Sequence, residues 1–242
     1  MTFSIVARCP RTGMLGVAVA TAVPAVGSVC PYVKTGVGAV STQSWVNPYL
    51  AIDALRMMEQ GKSGPEALKA VMAADAGREV RQIGIIDVRG RSAAWSGKDC
   101  TDWFGQIVEP DFAVQGNMLV SAPTIEEMAK AFRASESLEL AERLMLAMEA
   151  GEAAGGDKRG RQSASLKVHH IEEYALFDLR VDEHAHPVGE LRRVFEIAKL
   201  QLLPFVKGMP TRNDPGAAAP QGVVRLLGVP PPQRPGGGGS AP

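Results

Sequence analysis

The chain has 242 residues, 45% of them hydrophobic, with 26 basic and 26 acidic side chains and therefore no formal net charge. That length suits one domain with an appendage and a sizeable core, and the charge balance gives no electrostatic reason to expect a nucleic-acid partner. No apolar run approaches the roughly 20 residues that span a bilayer, and Cys9, Cys30 and Cys100 match neither a disulfide framework nor a metal knuckle.

The chain opens with an alternating run, Thr2 to Arg8, then a turn at Pro10-Arg11-Thr12-Gly13 and a second apolar run from Met14 to Thr21. This predicts a β-hairpin whose first strand starts at residue 2. A loop rich in Pro, Val and Gly (22–31) leads to a third strand near Val33 to Thr42. Asn47 and Pro48 read as N-cap and first residue of a helix that Gly61 closes. Ser63 and Glu66 have the spacing of a capping box for a second helix. Strands are expected over Val80 to Asp87 and Arg91 to Ser96, joined through Val88-Arg89-Gly90, and an extended segment over Phe112 to Val120. Thr124 and Glu127 suggest another capping box, with Ile125, Met128 and Phe132 on one helical face. Leu138, Ala141, Leu144, Met145 and Met148 recur at helical spacing and read as core. Two strands follow near Ser163 to His169 and Tyr174 to Val181, then a helix with Val188, Leu191, Val194, Phe195, Ala198 and Leu202 on one stripe.

Residues 207–242 differ from everything before them, with eight Pro and eight Gly. Such a segment buries too little apolar area to offset its ordering entropy. It is expected to be a disordered, dispensable appendage to a domain of residues 1–206, with one apolar patch at Val223 to Leu227. Regular βαβ alternation is absent, which argues against a doubly wound parallel sheet. The expected class is α+β: two mostly antiparallel sheets with amphipathic helices over both outer faces, a four-layer αββα sandwich.

Thr2 is the first candidate for chemistry. A residue this small permits removal of Met1, which leaves a hydroxyl and a free α-amine on one residue. The amine titrates at roughly 7.7–8.0 and can take the proton of the hydroxyl as it attacks a carbonyl. Gln43 and Asn117 end apolar runs, where a neutral amide can stabilise an oxyanion or read a substrate amide; capping and turn roles are equally good readings. Gly155-Gly156-Asp157-Lys158-Arg159-Gly160 lacks the spacing of a phosphate loop. Asp157 could orient an amine there and Arg159 could hold a carboxylate bidentately; the plain reading is an exposed turn. His184 and His186 would share a face of an extended strand, but the stretch leads into Pro187 and a helix start, and no metal is expected. The cysteines read as small core residues.

The segments Thr2 to Arg8, Gly16 to Thr21, Gly36 to Val40 with Thr42-Gln43, Arg81-Gln82, Gln115 to Leu119, Ala153 to Ala164, Arg180-Val181-Asp182 and Pro187-Val188 follow one another as in a bacterial family. Over residues 2–205 the chain resembles domain of unknown function 1028, a family described as like the N-terminal-nucleophile (Ntn) hydrolases. The resemblance implies an Ntn-type fold and catalytic class, with Thr2 as nucleophile in an amidohydrolase acting on a C–N bond of a small metabolite. Lys34 lies about as far along the chain from Thr2 as the lysine of proteasome-type sites and could tune the amine. The aspartate of those sites, just after the second strand, is missing: the region reads Ala20-Thr21-Ala22. The expected site is Thr2, Lys34 and Asn117 for catalysis, with Gln43, Asp157 and Arg159 for substrate, and no cofactor. The first residues lack a secretory leader, so a cytoplasmic homodimer taking a small-molecule substrate is expected, with no nucleic acid and no membrane. The alternative is a non-catalytic binding or assembly module on the same scaffold.

Overall fold

A computed structural model describes residues 2–241. The opening hairpin pairs β1 (Thr2–Arg8) with β2 (Leu15–Thr21) in register from Thr2 opposite Thr21 to Arg8 opposite Leu15. Gly13 closes it at φ 74°, a left-handed value that suits a residue without Cβ. The region read as one strand near Val33 to Thr42 is instead a second hairpin, β3 (Pro31–Lys34) and β4 (Gly38–Ser44). Gly36 makes the reversal possible at φ 70°. A Cβ on Gly38 would lie 2.5 Å from the Ile86 carbonyl oxygen, so only glycine lets β4 approach its neighbour there.

The remaining strands are β5 (Arg81–Asp87), β6 (Ser92–Ser96), β7 (Gly105–Glu109), β8 (Phe112–Asn117), β9 (Ser163–His169) and β10 (Phe177–Val181). All strand pairs are antiparallel. They form a six-stranded sheet, β10-β9-β2-β1-β8-β7, and a four-stranded sheet, β3-β4-β5-β6. The helices are α1 (Pro48–Glu59), α2 (Gly64–Ala74), α3 (Pro123–Ala134), α4 (Leu140–Ala153), α5 (Pro187–Lys207) and α6 (Gln221–Gly228).

Strand alternation sorts the side chains. Phe3, Ile5 and Ala7 of β1 join Phe132, Leu144, Met148 and Phe195 of α3, α4 and α5 in the largest core cluster. Val40, Ile83 and Ile85 of the smaller sheet pack with Leu55, Met58, Leu68 and Met72 of α1 and α2. Val6, Val17 and Ala113 of the large sheet meet Ala39 and Ile86 of the small one. The two sheets therefore face each other through the even-numbered residues of β1.

The helix starts of α1 and α2 follow the sequence closely. Asn47 accepts from the Tyr49 N–H, and Ser63 and Glu66 complete a capping box. At α3 the expected box is absent. Pro123 already occupies the first turn, which puts Thr124 inside the helix, buried and with its hydroxyl unpaired among the described residues.

The tail also differs from expectation. The Val223 to Leu227 patch forms α6, an eight-residue helix that buries Val223, and Gln201 of α5 donates to the carbonyls of Pro235 and Gly237 at 3.0 and 2.9 Å. An apolar stripe is enough to seat two helical turns that the surrounding Pro and Gly would otherwise leave unstructured. The anchoring is thin: Val224 and Leu227 stay 56% and 45% exposed. Burial of one valine contributes about 1.5 kcal/mol, which for a domain of this size is about 3–6 °C. Truncation after Val206 should lower Tm by that amount and no more in a thermal melt. No helix among the described residues is long and apolar enough to cross a membrane.

Candidate functional site

Thr2 opens a strand that is bracketed on both sides. It faces Thr21 of β2 and Asn117 of β8, and it is 4% exposed. Its side chain belongs to the even-numbered set, so it points between the sheets, and its Oγ1 donates to Thr21 Oγ1 at 3.2 Å.

The layer between the sheets is divided along its length. Toward Arg8 it is apolar, with Val6, Leu15, Val17, Ala39, Ile86 and Ala113. Toward Thr2 it is polar, with Ser4, Ser41, Gln43, Gln82, Gln115 and Asn117, all fully or almost fully buried. Buried polar groups persist where they are paired. Gln43 gives its amide hydrogens to the Thr2 carbonyl (3.2 Å), Gln82 Oε1 (2.8 Å) and the Gln115 carbonyl (3.4 Å). Its Oε1 accepts from Ser4 Oγ at 2.6 Å. Gln82 Oε1 also accepts from Asn117 Nδ2 at 2.9 Å, and Gln82 Nε2 donates to the Gly116 carbonyl at 2.8 Å and to Ser96 Oγ at 2.7 Å. Gln115 Nε2 donates to Ser4 Oγ at 2.5 Å, while its Oε1 has no partner among the described residues. Gly84 makes room for that amide, since a Cβ there would fall 2.1 Å from Gln115 Oε1.

A loop from the end of α4 closes this end of the sheets. Asp157 bridges to Leu119, just past β8, and the Val120 N–H donates to the Gly156 carbonyl at 3.1 Å. Asp157 Oδ2 accepts from the Ala22 N–H at 2.9 Å, one residue beyond Thr21, and from Arg159 Nη2 at 3.3 Å. Asp157 Oδ1 accepts from the Arg159 N–H at 2.9 Å. The Gly-rich run is thus a clamp joining the exits of β2 and β8. Behind the Phe3 side of β1, burial pushes the Glu152 carboxyl up, against the opposing pull of Arg161 at 3.4 Å.

Of the six residues expected at the site, the fold brings Thr2, Gln43 and Asn117 together and sets Asp157 and Arg159 beside them. Lys34 is elsewhere. It pairs with Gly38 at the far end of β4, five residues and about 17 Å of extended chain from Gln43. Its ammonium forms a 2.6 Å ion pair with Glu59 at the surface. The direction of β3 is the cause: this edge strand starts at Pro31 opposite Ser41 and ends at Lys34 opposite Gly38, so it runs away from Thr2. An exposed pair of this kind is worth about 0–1 kcal/mol. Lys34→Ala should therefore shift Tm by no more than about 4 °C and leave any turnover unchanged, which melting and kinetic assays check together.

Gln43 also differs from its expected place at the substrate. It is 0% exposed and its amide is spent inside the protein, where it fixes the Thr2 carbonyl. Gln82 and Ser4 were not anticipated at the site. The signal for Gln82 lay in the sequence: a glutamine directly before the apolar run Ile83-Gly84-Ile85-Ile86 is costly to bury unless paired, and it sits opposite Gln43 in the β4–β5 register.

The cysteines are free and buried, and burial pushes the Cys30 thiol up to about 12. His184 Nδ1 accepts from the His186 N–H at 3.0 Å, so that ring is engaged by its own turn. Among the described residues no group of three or more His, Cys, Asp or Glu is arranged to hold a metal ion.

Residues 2–191 match the sequence profile of a family of unknown function, DUF1028. The crystal structure of SPO2555 from Silicibacter pomeroyi, a protein of that family, is 29% identical, with a TM-score of 0.83 over 90% of this chain and 96% of that one. Anbu, the ancestral β-subunit from Yersinia bercovieri, is 10% identical with a TM-score of 0.36, covering 83% of this chain and 96% of that one, a likeness too slight to carry an argument. No curated protein matches the sequence. With the profile spanning β1 through the first turns of α5, the chain belongs to the DUF1028 family.

Proposed function

We propose that Thr2, once Met1 has been removed, is the nucleophile of an Ntn-type amidohydrolase on a four-layer αββα scaffold. The observation that carries this reading is the position of Thr2: first in a strand flanked on both sides, with its hydroxyl turned between the sheets and its carbonyl held by Gln43. In the proposed reaction Thr2 Oγ1 attacks the carbonyl of a small amide and gives its proton to its own α-amine. The amine passes that proton to the leaving nitrogen as the C–N bond breaks. Water then attacks the resulting ester, with the α-amine again as base, and regenerates the hydroxyl.

Asn117 gives one amide hydrogen to Gln82 and retains a second, which in this reading meets the oxyanion. Gln43 acts as a positioning residue. Asp157 holds the loop after Thr21, and Arg159, whose side chain is 38% exposed, binds a carboxylate on the substrate. Lys34 takes no part, since it lies at the surface paired with Glu59.

The binding-module reading draws on the separation of Lys34 from Thr2. Intact mass and an activity screen distinguish the two. Loss of Met1 together with hydrolysis of small amides, ureas or cyclic imides supports the enzyme; retained Met1 removes its base and leaves the binding module.

A further inference from the structure

At the opposite end of β1 from Thr2, the turn between α3 and α4 buries an arginine that makes no ion pair among the described residues. Arg143, in the first turn of α4, is 6% exposed. Its guanidinium lies 3.9 Å from the centroid of the Phe132 ring, and Nη2 donates to the Phe132 carbonyl at 3.2 Å. That contact caps the last turn of α3, where a cation opposes the helix dipole favourably. It engages one of the five N–H groups that a guanidinium carries. Nε is buried without a hydrogen-bond partner among the described residues.

None of the carboxylates around it forms an ion pair with it among the described residues, although Glu136 and Asp111 share its pocket. Asp111 pairs with Arg8 at 2.9 Å, and Glu109 pairs with Arg133. Glu136 stands exposed at the rim and makes no ion pair among the described residues. Burial lowers the Arg143 pKa, yet a guanidinium remains charged at any physiological pH. A buried charge with unspent donors is costly to the fold.

Arg143 helps to line a pocket of about 330 Å³ with Pro10, Pro110, Phe112, Phe132 and a charged rim of Asp111, Arg133 and Glu136. Its volume falls in the range of small-ligand sites. The rings of Phe112 and Phe132, with centroids 5.0 Å apart, and the two prolines make its walls apolar.

We infer that this pocket binds a small organic monocarboxylate with an apolar body, its carboxylate on the free N–H groups of Arg143 and its body against Phe112 and Phe132. Glu136 disfavours a second negative charge on the ligand, since Asp111 and Arg133 at the same rim are each held in an ion pair. The site is independent of Thr2, so it stands whether or not the chain is a hydrolase.

The test uses the full chain carrying Thr2→Ala, which separates this pocket from any turnover. Phenylacetate, 2-phenylethanol and inorganic phosphate are titrated at low salt by calorimetry and thermal shift. Phenylacetate is expected to bind saturably and, at about ten times its Kd, to raise Tm by about 3–5 °C. The alcohol and phosphate should bind at least about tenfold more weakly, since neither offers both a carboxylate and an apolar body. Arg143→Met should weaken phenylacetate at least about tenfold while the variant remains folded by circular dichroism. Glu136→Gln, a change at the exposed rim, should tighten it about two- to fivefold by removing a like charge. A role in capping α3 alone predicts no saturable binding by the unsubstituted pocket. The inference fails if phenylacetate does not saturate, if 2-phenylethanol binds as well, or if folded Arg143→Met retains full affinity. Should Arg143→Met not fold, unchanged affinity in Glu136→Gln overturns it.

Discussion

Thr2→Ala is expected to abolish turnover by the Met1-processed protein, with a fall of at least about 10³-fold in kcat for whichever small amide the screen identifies. Alanine is also compatible with Met1 removal, so the variant keeps its α-amine and loses only the hydroxyl. The structural cost is small. One hydrogen bond, from Thr2 Oγ1 to Thr21 Oγ1 at 3.2 Å, disappears, and such a bond contributes about 1 kcal/mol. Tm should therefore fall by about 2–4 °C. Thr2→Ser restores a hydroxyl at the same place and should recover part of the rate. The pH profile gives a second readout. The α-amine must be neutral to accept a proton, so kcat/KM should rise with pH through the amine's pKa and level off above it, with burial of Thr2 drawing that rise below the free-amine range of roughly 7.7–8.0. Full activity in Thr2→Ala is incompatible with the mechanism.

What the sequence revealed and what it concealed follow from the range of the forces involved. Local rules succeeded where they act alone. Asn47, Ser63 with Glu66, and the Thr2 to Thr21 hairpin are set by residues within a few positions of one another, and the structure retains all three. The reading failed where tertiary contact decides. β7 escaped notice because it is a half-exposed strand with weak alternation, paired only along one side to β8. The β3–β4 reversal depends on Gly36 adopting φ 70° within a run that is otherwise good strand sequence. Lys34 is nominated by its sequence distance from Thr2 alone, and that distance does not carry over: β3 runs from Pro31 opposite Ser41 to Lys34 opposite Gly38, away from the Gln43 end of β4.

The site was half legible for the same reason. Thr2 could be nominated because an N-terminal threonine joins a hydroxyl to an α-amine, and Asn117 because it ends an apolar run. The need to pair Gln82 could be read from its apolar neighbours, but not its role, which arises from five partners on other strands: Gln43, Ser96, Gly105, Gly116 and Asn117. It joins the small sheet to the large one through side-chain bonds that no periodicity encodes.

Gln82→Leu should consequently be the most destabilising single substitution near Thr2, lowering stability by about 3–5 kcal/mol and Tm by about 6–20 °C. Leucine is similar in volume, so lost packing contributes little, and the cost lies in the groups left behind. Asn117 Nδ2 loses its acceptor, the Gly116 carbonyl loses a donor, and Gln43 Nε2 keeps only its two longer contacts, at 3.2 and 3.4 Å. Each buried group left unpaired costs about 1–3 kcal/mol, and no water-exposed surface is available to the fully buried Gln82 environment. Gln82→Glu should be no better, because it buries a carboxylate and removes the donor to Gly116. The coupling can be isolated. In a double-mutant cycle of Gln82→Leu with Asn117→Ala, the two losses should be less than additive by at least about 1 kcal/mol, because removing Asn117 removes one of the stranded donors. Additive losses, or a Tm change in Gln82→Leu as small as that of Lys34→Ala, would show that the amide network does not tie the sheets together beside Thr2.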